Sequence, residues 1–112
     1  MKFTREEKDG TVILRLEGKL MGGPDAEAFN EVLRTLIHEG EKNFLVNLGG
    51  VKWVNSTGLG ILISGYTTAK RAGGELKLLR VSERIETIFM VSKLYTVFES
   101  YDDEDQAIKS FA

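Results

Sequence analysis

Apolar and polar positions along this chain alternate between two periods. Thr11-Val12-Ile13-Leu14-Arg15-Leu16-Glu17 is rich in β-branched and aliphatic residues and is bounded by Gly10 and Gly18, which predicts a strand. Residues 2–8 would pair with it through an Asp9-Gly10 turn. Gly22-Gly23-Pro24-Asp25 stops that strand and opens a helix, because Pro suits the first helical position and acidic residues suit the first turn. Ala26, Phe29, Leu33, Leu36 and Ile37 follow at three- and four-residue spacing and predict its buried face. Phe44-Leu45-Val46-Asn47-Leu48 is apolar at nearly every position, as in a central strand covered on both faces. Leu59, Leu62, Ile63 and Tyr66 mark the next helix, ended by Gly73-Gly74. Residues 75–81 predict another strand, Ser82 caps a helix with Ile85, Ile88, Phe89 and Ser92 on one side, and residues 96–100 predict a short last strand. A closing helix from about Asp103 carries Ala107, Ile108 and Phe111. Interleaved strands and helices define an α/β class with a small mixed sheet.

Composition narrows the function. A chain of 112 residues, 42% of them hydrophobic, suits one domain over 1–112 that builds a core without staples. No Cys is present and His38 is the one His, so disulfides, thiolate metal sites and multi-histidine metal sites are excluded. Fifteen basic residues against 17 acidic ones give a net charge of −2. That balance lacks the strong positive field of a nucleic-acid binder. The first eight residues lack the apolar core of a signal peptide. Residues 54–69 are too short and too interrupted by Asn, Ser, Thr and Gly to span a bilayer, so a cytoplasmic protein without membrane insertion is expected. Paired glycines at 22–23, 49–50 and 73–74 form neither G-x-G-x-x-G nor a P-loop, and no cofactor is implied.

The stretch with chemical potential is Val51-Lys52-Trp53-Val54-Asn55-Ser56-Thr57-Gly58-Leu59-Gly60. It joins a predicted central strand to a helix, placing Asn55 or Ser56 at the N-cap, where backbone N–H groups lack partners and the dipole is positive. A hydroxyl there is exposed, and an added phosphate would be stabilised by about 0.3–1 kcal/mol or more. Gly58 and Gly60 each cost roughly 1 kcal/mol of helix propensity relative to Ala, as if something must approach the backbone. Ordinary capping and close packing on the sheet account for the same residues equally simply.

Asn55-Ser56-Thr57-Gly58-Leu59-Gly60 after Phe44-Leu45-Val46-Asn47-Leu48-Gly49-Gly50-Val51 resembles the motif of STAS domains, typified by bacterial anti-sigma factor antagonists. Gly18, Phe29, Leu33, Ala72-Gly73-Gly74, Leu76, Leu78, Leu79, Phe98 and Ala107 fall in the family's order. The resemblance implies a STAS-like fold of four to five strands and about four helices, and a switch rather than an enzyme. It also implies a partner that is both serine kinase and anti-sigma factor, with a phosphatase as a further candidate partner. The phosphoacceptor would be Ser56, with Thr57 second. Met21, Gly22, Trp53, Asn55, Thr57, Gly58, Leu59 and Gly60 would form the partner surface.

Two positions depart from that pattern. Asn55 stands where the family usually has Asp, and Met21 where many members have Asp after the Gly18-Lys19-Leu20 turn. An alternative role follows, a non-phosphorylated interaction module of a signalling or transport assembly. His38, near a helix end, reads as a dipole-complementing residue rather than a base for Ser56, which disfavours a hydrolase. Trp53 suits either a partner anchor or the core. Lys70, Arg71, Lys77, Arg80, Arg84 and Lys93 read as solvated faces. Glu99, Asp102, Asp103, Glu104 and Asp105 lack the spacing of a calcium loop and read as a helix start. Oligomeric state is left open.

Overall fold

A computed structural model describes residues 2–91 and 97–111. The elements run β1 Lys2–Lys8, β2 Thr11–Leu20, α1 Pro24–His38, β3 Asn43–Val54, α2 Ser56–Arg71, β4 Glu75–Leu79, α3 Glu83–Val91, β5 Ser100–Tyr101 and α4 Glu104–Lys109. The five strands form one sheet in the order β1-β2-β3-β4-β5. Only the β1–β2 hairpin is antiparallel, with Lys8 opposite Thr11 across Asp9 and Gly10. Both turn residues have positive φ, as tight hairpin turns demand. The remaining pairs are parallel.

Alternation along the strands builds two cores. Val12, Leu14 and Leu16 of β2 join Phe44, Val46 and Leu48 of β3 in a large cluster with Phe29 and Leu33 of α1, Leu62 of α2 and Phe89 of α3. The intervening Ile13 and Leu45 face the other way, onto Leu79 and the α4 residues Ala107 and Ile108. Three helices therefore cover one face of the sheet and α4 the other, which explains why the central strand is apolar on both sides. The predicted face of α2 is wider than Leu59, Leu62, Ile63 and Tyr66. Ile61 is buried and Ile63 only half-buried, because Ile61 joins the cluster containing Ile85 and Phe89 while Gly65 lies against Phe29 and Leu33.

Gly10 bounds β2 as predicted, but Gly18 does not, and the apolar run of β3 is extended beyond Leu48. β2 continues beyond Gly18 to Leu20, and β3 beyond Gly49-Gly50 to Val54. Pairing there skips register between Arg15 and Glu17 and again between Gly18 and Lys19. Gly18 has φ 97°, and a Cβ at Gly50 would come within 3.0 Å of the Leu16 carbonyl. Each skip leaves one extra residue in β3, and the glycines beside these bulges let both strands run on and re-aim their ends. β4 stops at Leu79, before the predicted end at residue 81, because Arg80 adopts a left-handed φ of 56°. Ser82 Oγ then accepts from Ile85 N at 3.3 Å. The predicted last strand at 96–100 is replaced by Ser100–Tyr101. Phe98 is drawn into the core against Tyr66 and Phe89, with ring centroids 5.5 and 5.7 Å away. Thr96, Ser92 and Lys93 lie outside the described residues.

Candidate functional site

The C-terminal ends of β2 and β3 run side by side, Leu20 opposite Val54 and Lys19 opposite Trp53. Each then turns into a helix. Asn55, not Ser56, is the N-cap of α2. Its backbone is extended, its Oδ1 accepts from Gly58 N at 2.8 Å, and its carbonyl accepts from Leu59 N at 2.9 Å. The side-chain bond satisfies one of the otherwise unpaired N–H groups at the helix start, and the carbonyl bond is the first of the helix ladder. Ser56 and Thr57 are the first helical residues and both are exposed. The first turn carries no acidic residue.

Close approach explains one motif glycine and not the other. A Cβ at Gly58 would overlap the Leu20 carbonyl, so α2 can rest on the end of β2 only with Gly at this position. The neighbour inferred from propensity is thus part of the chain itself. Gly60 is exposed, with nothing within 4 Å of the place a Cβ would occupy. At Gly22, φ is 100° and a Cβ would overlap the Thr57 methyl group. The turn after Met21 therefore packs directly on the start of α2.

Met21 and Trp53 are 44% and 51% exposed, so Trp53 is not a core residue. The Arg84 guanidinium lies 4.3 Å from the centre of its ring. Leu59 is buried and belongs to the large cluster, where it anchors the helix. Met21, Gly22, Trp53, Asn55, Thr57, Gly58 and Gly60 collect around Ser56.

His38 ends α1, at the opposite end of β3 from Ser56. The twelve-residue length of β3 separates the two ends, so His38 cannot assist the hydroxyl. Among the described residues no group of three or more His, Asp or Glu could hold a metal ion. The acidic run is instead spent on pairing: Asp103 Oδ1 accepts from Asp105 N at 3.1 Å, and Glu104 bonds Arg15 at 2.9 Å. Lys77 is not solvated. It is 7% exposed, and its Nζ donates to Ser110 O and Oγ and reaches Glu99, all at 3.0 Å. That ammonium, with the Tyr101 hydroxyl, holds the Glu99 carboxyl below its usual range. No described helix is long and apolar enough to cross a membrane.

A small mixed sheet whose central parallel strands end at this exposed helix start is an α/β domain of one recognisable class, and the STAS domain family matches residues 2–107. The chain belongs to that family. BtrV of Bordetella bronchiseptica, provisionally assigned as an anti-sigma factor antagonist, is 24% identical over 111 residues, covering 99% of this chain and 95% of its own. A Thermotoga maritima protein with the same provisional assignment has the same fold, with a TM-score of 0.87 and 22% identity, covering 97% of this chain and 93% of that one. The Bacillus cell fate determinant SpoIIAA in its phosphorylated form superposes with a TM-score of 0.75 at 23% identity, covering 99% and 100%.

Proposed function

We propose that this protein is an anti-sigma factor antagonist, that its partner is an anti-sigma factor with serine kinase activity, and that phosphorylation of Ser56 separates the two. The observation that carries this reading is the exposed Ser56 hydroxyl at the first position of α2, directly after the Asn55 cap. The names of the STAS relatives and the existence of a phosphorylated SpoIIAA support it. Thr57 is the poorer acceptor, since its methyl group is engaged by the Gly22 turn.

The geometry suits a switch. Unmodified, the helix start offers a small neutral surface around Ser56, Thr57 and Gly60, flanked by Met21 and Trp53. A phosphate adds about −1.5 to −2 charges. The helix dipole tolerates it in the free protein. Within an interface of roughly 1,600 Å² the same charge must be desolvated, at a cost of several kcal/mol unless a cation receives it. Each ~1.4 kcal/mol is tenfold in affinity. A phosphatase would restore the binding form, and the exchange would take place in the cytoplasm. The domain itself brings no catalytic group.

Incubation with candidate kinase/anti-sigma partners and ATP, followed by intact mass measurement, tests the assignment. One added phosphate in the wild type and none in Ser56→Ala is expected. No added phosphate, or one that persists in Ser56→Ala with Thr57→Ala, contradicts it. The uncharged Asn55 and exposed Met21 favour the second reading, a constitutive interaction module, which predicts partner binding unaffected by ATP.

A further inference from the structure

We infer that the partner docks a carboxylate-rich surface onto a basic patch centred on Trp53, beside Ser56. This rests on the reading above in taking that partner to be the one that reaches Ser56. Lys19 stands opposite Trp53 in the β2–β3 register, and Lys52 precedes it in β3. Arg84 lies over the indole ring. Lys52, Trp53, Ser82 and Arg84 line one shallow hollow with Val51. All three cations are exposed, and none makes an ion pair with a described residue. Arg15, Lys70 and Lys77, by contrast, are held by Glu6 and Glu104, by Glu75 and by Glu99; what sets Lys19, Lys52 and Arg84 apart is that they gather around one exposed aromatic ring. Glu17 and Glu83 are the carboxylates nearest in the chain, so the patch retains excess positive charge although the whole protein is acidic.

Trp and Arg are both enriched among the residues that carry interface binding energy, and here they are stacked on each other. The ring gives area at low entropy cost, and the guanidinium remains free to form a bidentate pair with a carboxylate. The register skips at Gly18 and Gly50 keep β2 and β3 extended far enough to bring Lys19 and Trp53 to the α2 start. Placement next to Ser56 also gives the switch a second lever. A phosphate's roughly 1.5–2 negative charges offset the patch's excess and repel an acidic partner.

Trp53 is the single Trp in the chain, so its emission, excited at the red edge where the three Tyr do not absorb, reports on this patch alone. Titration of the full chain with a synthetic polyglutamate peptide at low salt is expected to shift Trp53 emission. Affinity should fall at least tenfold in the exposed-site variant Lys52→Glu/Arg84→Glu and tenfold again between 20 and 200 mM salt, by order-of-magnitude screening. No emission change, or an undiminished one in the double variant, overturns the inference. A stronger response to phosphatidylglycerol vesicles or a single-stranded oligonucleotide also overturns it, in favour of those surfaces. With the kinase partner, unchanged affinity of the double variant alongside normal Ser56 phosphorylation rejects the acidic docking surface alone. Absent phosphorylation with an intact polyglutamate response rejects the Ser56 reading alone.

Discussion

Gly58 and Gly60 lie on the same helix turn and meet opposite surroundings. Gly58→Ala drives a methyl group into the Leu20 carbonyl and should destabilise the protein by about 1–3 kcal/mol, read as a lowered urea midpoint. Gly60→Ala meets nothing in the protein and should stabilise it by up to ~1 kcal/mol through helix propensity. If a partner backbone approaches there, the same substitution weakens binding, so stability and affinity move in opposite directions. At the cap, Asn55→Ala should cost about 0.5–2 kcal/mol in the same unfolding measurement. Asn55→Asp keeps the bond to Gly58 N and adds a favourable charge at the dipole, so it should be at least as stable as the wild type. The capping role of position 55 was within reach of the sequence, because a cap is defined by residue type and by the helix that follows. The reason for Gly58 was not, since the clashing carbonyl belongs to a strand distant in the chain.

Helix and strand periodicity placed the described elements except the last strand, which lies at Ser100–Tyr101 instead of 96–100, and element ends were the weak point. Gly18 and Gly49-Gly50 have the composition of turns, yet they sit inside a ladder, where a second strand supplies the pairing that a terminating residue would lack. Phe98 has strand propensity, but aromatic packing with Tyr66 and Phe89 overrides it. The buried Lys77 was equally hidden, because only the closing of α4 over β4 brings Ser110 to its ammonium. That arrangement carries a pH dependence. Glu99 is held below its usual range first by the hydrogen bond from Lys77, then by Tyr101. A depressed carboxyl contributes stability that is complete above its unfolded pKa and lost as pH falls through its folded one. Urea midpoints should therefore decline below the ordinary carboxylate range near pH 4.5, and Glu99→Gln should shrink that decline while lowering stability at neutral pH. An unchanged pH profile in Glu99→Gln would remove the pair from the account.

Across the whole molecule, sheet topology separates Ser56 from His38 and gathers the exposed residues of the proposed binding surface at one end. Parallel strands end where helices begin, so the α2 start, the turn after Met21 and Arg84 at the beginning of α3 share one end of the sheet, with His38 at the other. A low chemical inventory is then consistent with a protein whose partner brings the catalysis. The central claim concerns the sign and size of the effect of one phosphate on one interface. Its most direct measurement is the dissociation constant of the kinase/anti-sigma partner for the Ser56-phosphorylated protein and for the unmodified one, at fixed ionic strength. The phosphorylated form should bind at least tenfold more weakly, equivalent to about 1.4 kcal/mol or more. Equal affinity, or tighter binding of the phosphorylated form, would contradict the account.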